Sequence, residues 1–333
     1  MVFLPQRFHP KHLATVFSNL QIIRMEHEFH HWLKAQTTPD SAQPEILVGI
    51  GDDAAILKGN SDSVVLATDT IAEGTHFDLS IDSLDLVGRK SLAVNLSDLA
   101  AMAAQPLAAV LTFLLPRNSG GAPFGLDQAK QIYSGIAKLA NEYDVAIIGG
   151  DTNTWDGPLV VGATVVGRRD PAQSGWAIDG ARAGDSILVS GSFGGSIHGR
   201  HLSFTPRIAL ANYLSKHYSI NAATDVSDSL SVDLNQLARA SGVGVDFDPR
   251  TIPISTDVRP SKTKTSLEHA LSDGEDFELV LAVSQNETDR LMSDKSLPCP
   301  ITIIGTATDT HDGLRALSED GSWIDFKPVG YIH

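Results

Sequence analysis

Short apolar runs alternate with amphipathic segments along most of the chain. Runs of roughly four to eight apolar residues that end at glycine, threonine or aspartate are typical of buried strands. We predict strands over residues 46–50, 64–67, 108–115, 145–148, 159–166, 186–190 and 277–283. Apolar residues at three- and four-residue spacing predict helices over residues 20–33, 85–104, 127–143 and 227–240. Helices and strands therefore follow one another in both orders, which indicates an α+β or mixed α/β fold.

A break in this pattern divides the chain into parts. Residues 168–171 read Arg-Arg-Asp-Pro, and a new unit begins near Gly175. We predict an N-terminal domain over residues 45–170 and a C-terminal α/β domain over residues 175–333. Residues 1–44 form an N-terminal extension with one amphipathic helix and several histidines. The adjacent His30 and His31 point to different faces of that helix, which makes a metal site there unfavourable.

Composition narrows the class of protein. The 333 residues include 40 acidic and 25 basic side chains, for a net charge of −15. This balance argues against a nucleic-acid-binding protein, since binding to phosphate backbones depends on clustered Lys and Arg. The single cysteine, Cys299, excludes an internal disulfide and a cysteine-based metal cluster. Because no apolar run reaches the ~20 residues of a membrane span and no signal peptide is evident, we expect a cytoplasmic protein that does not associate with membranes.

Several aspartates occupy one kind of position, directly after a short apolar strand or at the start of a helix. They are Asp52, Asp53, Asp69, Asp151, Asp225 and Asp228. Asp98 instead lies within an apolar helix, where a charge is costly unless it is paired or bound to a cation. Each aspartate taken singly has an ordinary explanation as a helix cap or a turn residue. Their recurrence favours Mg²⁺-dependent phosphate chemistry, because Mg²⁺ binds carboxylate oxygens and substrate phosphates.

The common phosphate-binding motifs are missing. The sequence has no Gly-x-x-x-x-Gly-Lys-Ser/Thr loop and no His-Arg-Asp or Asp-Phe-Gly pair of the protein kinases. The glycine-rich residues 191–195 follow a strand but lack the spacing of a dinucleotide-binding loop. Carboxylates that recruit cations can bind polyphosphates without such a loop.

Several strings closely resemble the thiamine-monophosphate kinases, in the same order and over residues 45–333. They are Gly-Ile-Gly-Asp-Asp-Ala-Ala at 49–55, Thr-Asp-Thr at 68–70, Gly-Thr-His-Phe at 74–77, Lys-Ser-Leu-Ala-Val-Asn-Leu-Ser-Asp-Leu-Ala-Ala-Met at 90–102, Gly-Gly-Asp-Thr at 149–152, Asp-Val-Ser-Asp at 225–228, Gly-Glu-Asp-Phe-Glu-Leu at 274–279 and Gly-Tyr at 330–331. The resemblance implies the two-domain fold of the aminoimidazole ribonucleotide synthetase-like superfamily. It also implies a homodimer whose N-terminal halves pair into a β-barrel.

The same resemblance implies the reaction ATP + thiamine monophosphate → ADP + thiamine diphosphate. Direct in-line transfer assisted by several Mg²⁺ ions would need no catalytic acid or base from the protein. The implied Mg²⁺ ligands are Asp53, Thr68, Asp69, Asp98, Asp151, Asp225 and Asp228. The implied ATP contacts are Gly150, Asp151 and Ser227, and the implied thiamine-phosphate contacts are His76, Asp276 and Tyr331.

Three departures from the family pattern keep alternatives open. Ala67 stands where a serine is common, Ser229 replaces the glycine of Ser-Asp-Gly-Leu, and residues 199–207 form a shortened segment. These changes also fit a paralogue that acts on another phosphate or amide. They fit a nucleotide-binding protein without turnover as well.

Overall fold

The computed structural model describes residues 46–48, 52–58, 63–119, 122–169 and 176–330. The predicted N-terminal extension and Tyr331 lie outside the described residues. Within the described ranges, no helix combines the length and the apolar character needed to cross a membrane.

The first half of the chain forms a six-stranded sheet in the order β1-β2-β3-β8-β4-β7. Its strands are β1 (Ile46–Val48), β2 (Ala55–Lys58), β3 (Ser63–Ala72), β4 (Gln105–Pro116), β7 (Ala146–Trp155) and β8 (Val160–Arg169). Neighbours are antiparallel except β4 and β7, which run parallel. The short strands β5 (Asn118–Ser119) and β6 (Ala122–Pro123) form a separate pair.

Two helices cover this sheet: α1 (Leu84–Ala101) packs on β3 and β8, and α2 (Leu126–Glu142) packs on α1. Two glycines permit the close contact between these helices. A Cβ atom at Gly88 would lie 1.9 Å from the carbonyl oxygen of Ile132. A Cβ atom at Gly135 would lie 1.8 Å from the carbonyl oxygen of Asp85. The backbones of α1 and α2 therefore touch without intervening side chains.

The second half forms a seven-stranded sheet in the order β10-β12-β9-β13-β11-β14-β15. Its strands are β9 (Ser186–Ser190), β10 (Ala222–Asp225), β11 (Gly244–Phe247), β12 (Leu279–Val283), β13 (Ile301–Thr308), β14 (Gly313–Leu317) and β15 (Trp323–Phe326). Only β11 and β14 run parallel among these pairs. Its helices are α3 (Arg200–Ser203), α4 (Ile208–His217), α5 (Leu230–Ser241), α6 (Ser266–Ser272) and α7 (Gln285–Met292).

The larger of two hydrophobic clusters joins the halves. Leu92 and Leu96 of α1 share it with Phe204 and with Leu281 of β12. The rings of Phe204 and Phe277 stack with their centroids 4.1 Å apart. The mixed α+β architecture predicted from the apolar pattern is thus present, with α1 between the two sheets.

Several predicted element ends are wrong, among them that of β3, which continues through residues 68–72, and two more affect the site. The strand predicted to stop at Ile148 continues as β7 to Trp155, because residues 149–155 pair with the parallel strand β4. The helix predicted from Ser227 begins at Leu230, because Ser229 is its N-cap and accepts a hydrogen bond from the N–H of Val232. Residues 225–229, called the aspartate loop here, therefore precede α5 in extended and turn conformations.

Candidate active site

Four of the predicted metal ligands come together between the halves. Asp53 precedes β2, Asp69 lies on β3, Asp98 lies on α1 and Asp225 ends β10. Burial raises the pKa of Asp98, and the charges of the other three carboxylates raise it further. These four side chains, called the carboxylate cluster here, therefore lie within electrostatic reach of one another. They carry a concentration of negative charge that favours bound cations.

Asp225 is the most enclosed member of the cluster. Burial raises its pKa to about 7, and the charges of Asp69 and Asp228 act in the same direction. A hydrogen bond from the Ser97 hydroxyl acts against this shift by stabilising the carboxylate. Because Ser97 belongs to α1, this bond joins the two halves at the cluster.

The carboxylate of Asp53 has one hydrogen-bonded oxygen and one oxygen without a partner among the described residues. Its Oδ1 accepts a hydrogen bond from the Thr224 hydroxyl at 3.1 Å. Its Oδ2 is buried and has no hydrogen-bond partner in the described part of the chain. A buried carboxylate oxygen without a partner is costly, and burial followed by the charge of Asp225 raises the pKa of this group. A cation at this oxygen would remove the cost.

The carboxylate cluster suits Mg²⁺, which keeps part of its water shell, better than it suits an ion whose ligands all come from the protein. Among the described residues, no group of three or more His, Cys, Asp or Glu side chains is arranged to hold a metal ion. Mg²⁺ usually keeps several waters and takes one or two carboxylates together with substrate phosphates. The separated carboxylates suit such partly hydrated ions.

Helix α1 positions the cluster through residues to which the sequence analysis assigned no role. The buried Asn95 accepts a hydrogen bond from the N–H of Asp69 at 3.0 Å and donates to the carbonyl of Ser91 at 3.0 Å. Its amide thus ties β3 to the helix beside Asp69. The adjacent Ser97 and Asp98 complete the polar part of α1. The polar Asn95, Ser97 and Asp98 among the apolar residues of the second half of α1 were the available signal.

The aspartate loop is held by a buried carboxylate that the sequence analysis also missed. Oδ2 of Asp233, in the first turn of α5, accepts the N–H of Asp228 at 3.1 Å and that of Ser229 at 3.0 Å. The carbonyl of Ser227 accepts the N–H of Glu275 at 2.6 Å. Asp228 and Ser227 are thereby fixed at the start of α5. An aspartate in a first helical turn is usually a surface feature, and only the fold shows this one to be buried.

The remaining residues predicted to bind metal and ATP lie elsewhere on the first sheet. Thr68 is exposed and points to the opposite face of β3 from Asp69, because successive strand side chains alternate. Its hydroxyl lies 2.8 Å from that of Thr164. Asp151, next to Gly150 on the exposed strand β7, accepts a hydrogen bond from Asn153 at 2.7 Å. The described contacts do not join these residues to the carboxylate cluster.

The predicted acceptor residue His76 lies close to the loop that contains Asp276. The buried Lys90 of α1 donates to the carbonyl of His76 at 2.8 Å and to Oε1 of Glu275 at 2.6 Å. The imidazole Nδ1 of His76 accepts the N–H of Ala72 at 3.1 Å. Lys90 therefore connects both segments, although the sequence analysis gave it no function.

Asp276 itself is buried and already has partners. Its carboxylate accepts hydrogen bonds from Arg200 at 2.7 Å and from the N–H of Gly194 at 3.0 Å. Burial raises its pKa to about 7, against the opposing charge of Arg200. Because the side chain of Asp276 has no exposed surface, a contact between it and a substrate requires a local rearrangement.

The glycine-rich residues 191–195 do not offer an open phosphate cradle. The N–H of Gly194 donates to Asp276, and the N–H of Gly195 donates to Asp273 at 2.8 Å. The N–H groups of Gly191 and Phe193 donate to backbone carbonyls. Carboxylates and carbonyls of the protein thus occupy the donors that a phosphate would need.

Family models match both halves of the chain. Residues 51–169 match the model described as AIR synthase related protein, N-terminal domain, and residues 201–316 match the corresponding C-terminal domain. The thiamine-monophosphate kinase of Rhodopirellula baltica is 37% identical over 320 residues, which cover 93% of this chain and 97% of that protein. The thiamine-monophosphate kinase of Bacillus subtilis is 32% identical over 86% of this chain and 93% of its own length.

Solved structures show the same fold. AaThiL in complex with AMPPCP and TMP superposes with a TM-score of 0.76 at 26% identity, over 91% of this chain and 95% of that one. The thiamine-monophosphate kinase from Stenotrophomonas maltophilia K279a gives a TM-score of 0.68 at 33% identity, over 85% and 93% of the two chains. The similarity therefore includes both halves and the region between them.

Proposed function

The chain belongs to the thiamine-monophosphate kinase family of AIR synthase related proteins, and from this premise we propose how its carboxylates and loops serve the reaction. The enzyme phosphorylates thiamine monophosphate with ATP and forms thiamine diphosphate and ADP. The cluster between the two halves is the observation on which the proposed mechanism rests.

The carboxylate cluster and Asp228 hold Mg²⁺ ions in this proposal. Mg²⁺ held by these residues would supply positive charge opposite the polyphosphates and the transferred phosphoryl group. The raised pKa values in the cluster, caused by burial and by neighbouring carboxylates, and the unpartnered Oδ2 of Asp53 support this role, because a bound cation would stabilise the ionised groups and contact that oxygen. Asn95, Ser97 and Asp233 hold the ligand-bearing segments in place.

The nucleophile is a phosphate oxygen of thiamine monophosphate, which is ionised near neutral pH. The protein therefore needs no general base, and its task is to align two anions in line. Ser227 and the neighbouring carboxylates face the ATP phosphates in this proposal. Thr68, Gly150 and Asp151 stay predicted contacts of the nucleotide or its metals, carried on the exposed part of the first sheet.

His76, Asp276 and Tyr331 form the proposed acceptor side. The bridge through Lys90 supports a shared location for His76 and the loop at residues 274–277. Phe277 and Glu275 both have φ of 52°, a costly conformation for residues with a side chain. Such strain is tolerated where the surrounding structure enforces it, which is common at binding sites.

We further propose that the enzyme is a homodimer formed through its first sheet. The strand β7 is a long edge strand with exposed side chains, and Ile148 on it is 65% exposed. Leu107 and Val110 of the neighbouring β4 are also exposed. An exposed apolar sheet edge favours pairing with a second copy. Pairing of two first sheets would close the predicted barrel.

The departures at positions 67 and 229 do not argue for lost activity. Ala67 is buried in the core of the first half, away from solvent. Ser229 has a φ of 169°, an extended conformation that does not require glycine. We therefore favour a cytoplasmic thiamine-monophosphate kinase over a paralogue that acts on another acceptor or that binds nucleotide without turnover.

One assay tests this function directly. Purified enzyme with ATP, Mg²⁺ and thiamine monophosphate should form thiamine diphosphate, and thiamine without its phosphate should be a poor acceptor. Replacement of Mg²⁺ by excess chelator should stop the reaction. Binding of ATP without any thiamine diphosphate formed at micromolar enzyme would contradict the kinase function.

A further inference from the structure

Residues 274–278, called the acidic loop here, pair through their backbone with the aspartate loop. The N–H of Glu275 donates to the carbonyl of Ser227 at 2.6 Å. The N–H of Phe277 donates to the carbonyl of Val226 at 2.8 Å. Both accepting carbonyls belong to the stretch between the two proposed Mg²⁺ ligands of the aspartate loop. A shift of the acidic loop would therefore move these ligands.

The backbone conformation of the acidic loop is costly. Glu275 and Phe277 both have φ of 52°, and such a conformation costs a residue with a side chain about 1–3 kcal/mol. Gly274 has φ of 74°, and a Cβ atom there would lie 2.4 Å from the carbonyl oxygen of Asp228. Contacts from outside the acidic loop must stabilise this conformation.

Three cationic side chains from elsewhere in the chain pair with the three carboxylates of the acidic loop. The pairs are Lys90 with Glu275 at 2.6 Å, Arg200 with Asp276 at 2.7 Å, and Arg207 with Glu278 through two hydrogen bonds. The three acidic side chains are at most 15% exposed, so water screens the pairs little. Loss of one cation would leave a buried carboxylate without its counter-charge, which is strongly destabilising.

Arg200 connects the acidic loop to two further groups. Its guanidinium donates to Oδ2 of Asp257 at 2.9 Å and to the carbonyl of Gly194 at 3.1 Å. The planar guanidinium can serve these acceptors and Asp276 at the same time, because its donors point in fixed, different directions. Arg200 therefore restrains the carboxylate of Asp276 from outside the loop.

The shortened segment at residues 199–207 contains both arginines. Arg89 of α1 donates to the carbonyl of Leu202 at 3.3 Å and to that of Phe204 at 2.5 Å. These hydrogen bonds attach the segment to the first half of the chain. The segment that departs from the family pattern thus holds the acidic loop from a fixed base.

We propose that Arg200 is a positioning residue for Mg²⁺ binding. Together with Lys90 and Arg207 it holds the acidic loop, and the acidic loop holds the aspartate loop in the geometry that binds Mg²⁺. This inference rests on the proposed function, because it requires Asp225 and Asp228 to be Mg²⁺ ligands. Arg200 acts through the two loops.

The variant Arg200→Met tests this role, because it removes the charge and keeps an apolar stem. Hydrogen exchange at the amides of Glu275 and Phe277, measured without Mg²⁺ or nucleotide, should accelerate about tenfold as the hydrogen bonds between the loops open more often. The Mg²⁺ concentration that gives half-maximal turnover should rise about five- to tenfold, while kcat at saturating Mg²⁺ should stay within about twofold.

Arg315→Met is the matched control. Arg315 pairs with Asp246 through two hydrogen bonds of 2.9 Å in the same half of the chain, and its side chain is 27% exposed against 22% for Arg200. This variant should also lower stability, but it should leave exchange at the two loop amides and the Mg²⁺ requirement unchanged. Arg200→Lys keeps a positive charge beside Asp276 and should bring both quantities to within about threefold of wild type.

Unchanged exchange at Glu275 and Phe277 in Arg200→Met would overturn the proposal, as would an equal rise of the Mg²⁺ requirement in Arg315→Met. If Arg200→Met does not fold, Asp257→Asn replaces it, because it loosens the guanidinium at a side chain that is 43% exposed. Shifts of about twofold in the same directions are then expected, and their absence would overturn the proposal equally. A wild-type enzyme that forms no thiamine diphosphate would refute the proposed function, and the exchange measurement would still decide whether Arg200 holds the loops.

Discussion

Lys90 and Glu275 form a buried ion pair across the two halves, with Nζ and Oε1 2.6 Å apart. The side chain of Lys90 has no exposed surface, and 15% of that of Glu275 is exposed. The pair fixes α1 against the loop at residues 274–277.

Glu275→Gln should lower the free energy of unfolding by about 3 kcal/mol, because it leaves the ammonium of Lys90 buried without its counter-charge. The double variant Lys90→Met with Glu275→Gln should lose less than the sum of the single variants, since it removes both charges. Urea unfolding measures each value. The exposed pair of Arg117 and Asp156 is the control, and Arg117→Met should cost less than about 1 kcal/mol. Additive losses would show that Lys90 and Glu275 are not coupled.

Asp98→Asn should abolish phosphoryl transfer and leave the fold intact. The amide keeps the shape but removes the charge, so kcat/KM should fall by more than the roughly 10- to 100-fold typical of outer-shell metal partners. Stability in metal-free buffer should not decrease, because burial and the neighbouring carboxylates disfavour the charge of Asp98. The exposed Asp127→Asn serves as control in steady-state kinetics and thermal unfolding. Unchanged turnover of Asp98→Asn would contradict the metal role.

Gly135→Ala should destabilise the protein by about 3 kcal/mol or more, because its Cβ would enter the backbone of α1 at Asp85. Neither helix backbone can move without disturbing the core between the sheets. Ser134→Ala, at the neighbouring exposed position of α2, should be neutral or slightly stabilising because of the helix propensity of alanine. Chemical denaturation of both variants checks the difference. A stable Gly135→Ala would mean that the α1–α2 contact is looser than described.

His201 should make stability fall on the acid side of neutrality. Burial lowers the pKa of this imidazole, and the charge of Lys90 lowers it further, against smaller opposing effects of the hydrogen bond with Ser196 and of the charges of Glu275 and Asp82. Below the unfolded-state pKa of about 6.5 the unfolded chain takes up a proton that the folded chain does not, so the free energy of unfolding decreases as the pH falls.

The variant His201→Gln keeps a donor for the carbonyl of Ser196, which the imidazole contacts at 2.9 Å. The stability difference between wild type and this variant should be constant above about pH 7 and should change below about pH 6.5 by up to 1.4 kcal/mol per pH unit. Urea titrations between pH 5 and 8 measure it. A stability difference that is independent of pH would show that the imidazole of His201 does not cause the loss of stability in acid.

Ile148→Lys should convert the proposed dimer to monomer, because it places a charge on the exposed edge strand β7. The stability of the isolated subunit should hardly change, since Ile148 is already exposed. Sedimentation velocity reports the oligomeric state. Ile81→Lys, at an exposed turn position away from the sheet, is the control. A wild-type monomer, or an Ile148→Lys variant that still dimerises, would refute pairing through β7.

The positions of most helices and strands were predictable from the sequence, but the contacts between residues distant in sequence were not. The apolar spacing that predicts a helix over residues 85–104 matches α1, because that helix lies in the core. The partners Lys90 and Glu275 are 185 residues apart, and Asp53 and Thr224 are 171 residues apart. No local pattern indicates such contacts, so the roles of Lys90 and Thr224 emerged only from the fold.

The aspartates were predictable as a group because they recur at the ends of short apolar runs in the sequence. Which of these aspartates lie together in the structure was not predictable. Asp53 and Asp225 meet between the halves, whereas Asp151 lies on an exposed edge strand. Strand alternation separates Thr68 from Asp69 although they are adjacent in sequence. Which neighbours share a face depends on the register of the sheet.

The larger hydrophobic cluster contains side chains from both sheets, and Leu96 of α1 lies in it together with Leu281 of β12. Neither half can therefore complete its interior alone. We expect the two halves to fold as one cooperative unit, although the chain passes from one to the other only once. Loss of packing in either half exposes apolar surface in the other. The chain therefore matches two domains by sequence, and we expect it to unfold in a single transition.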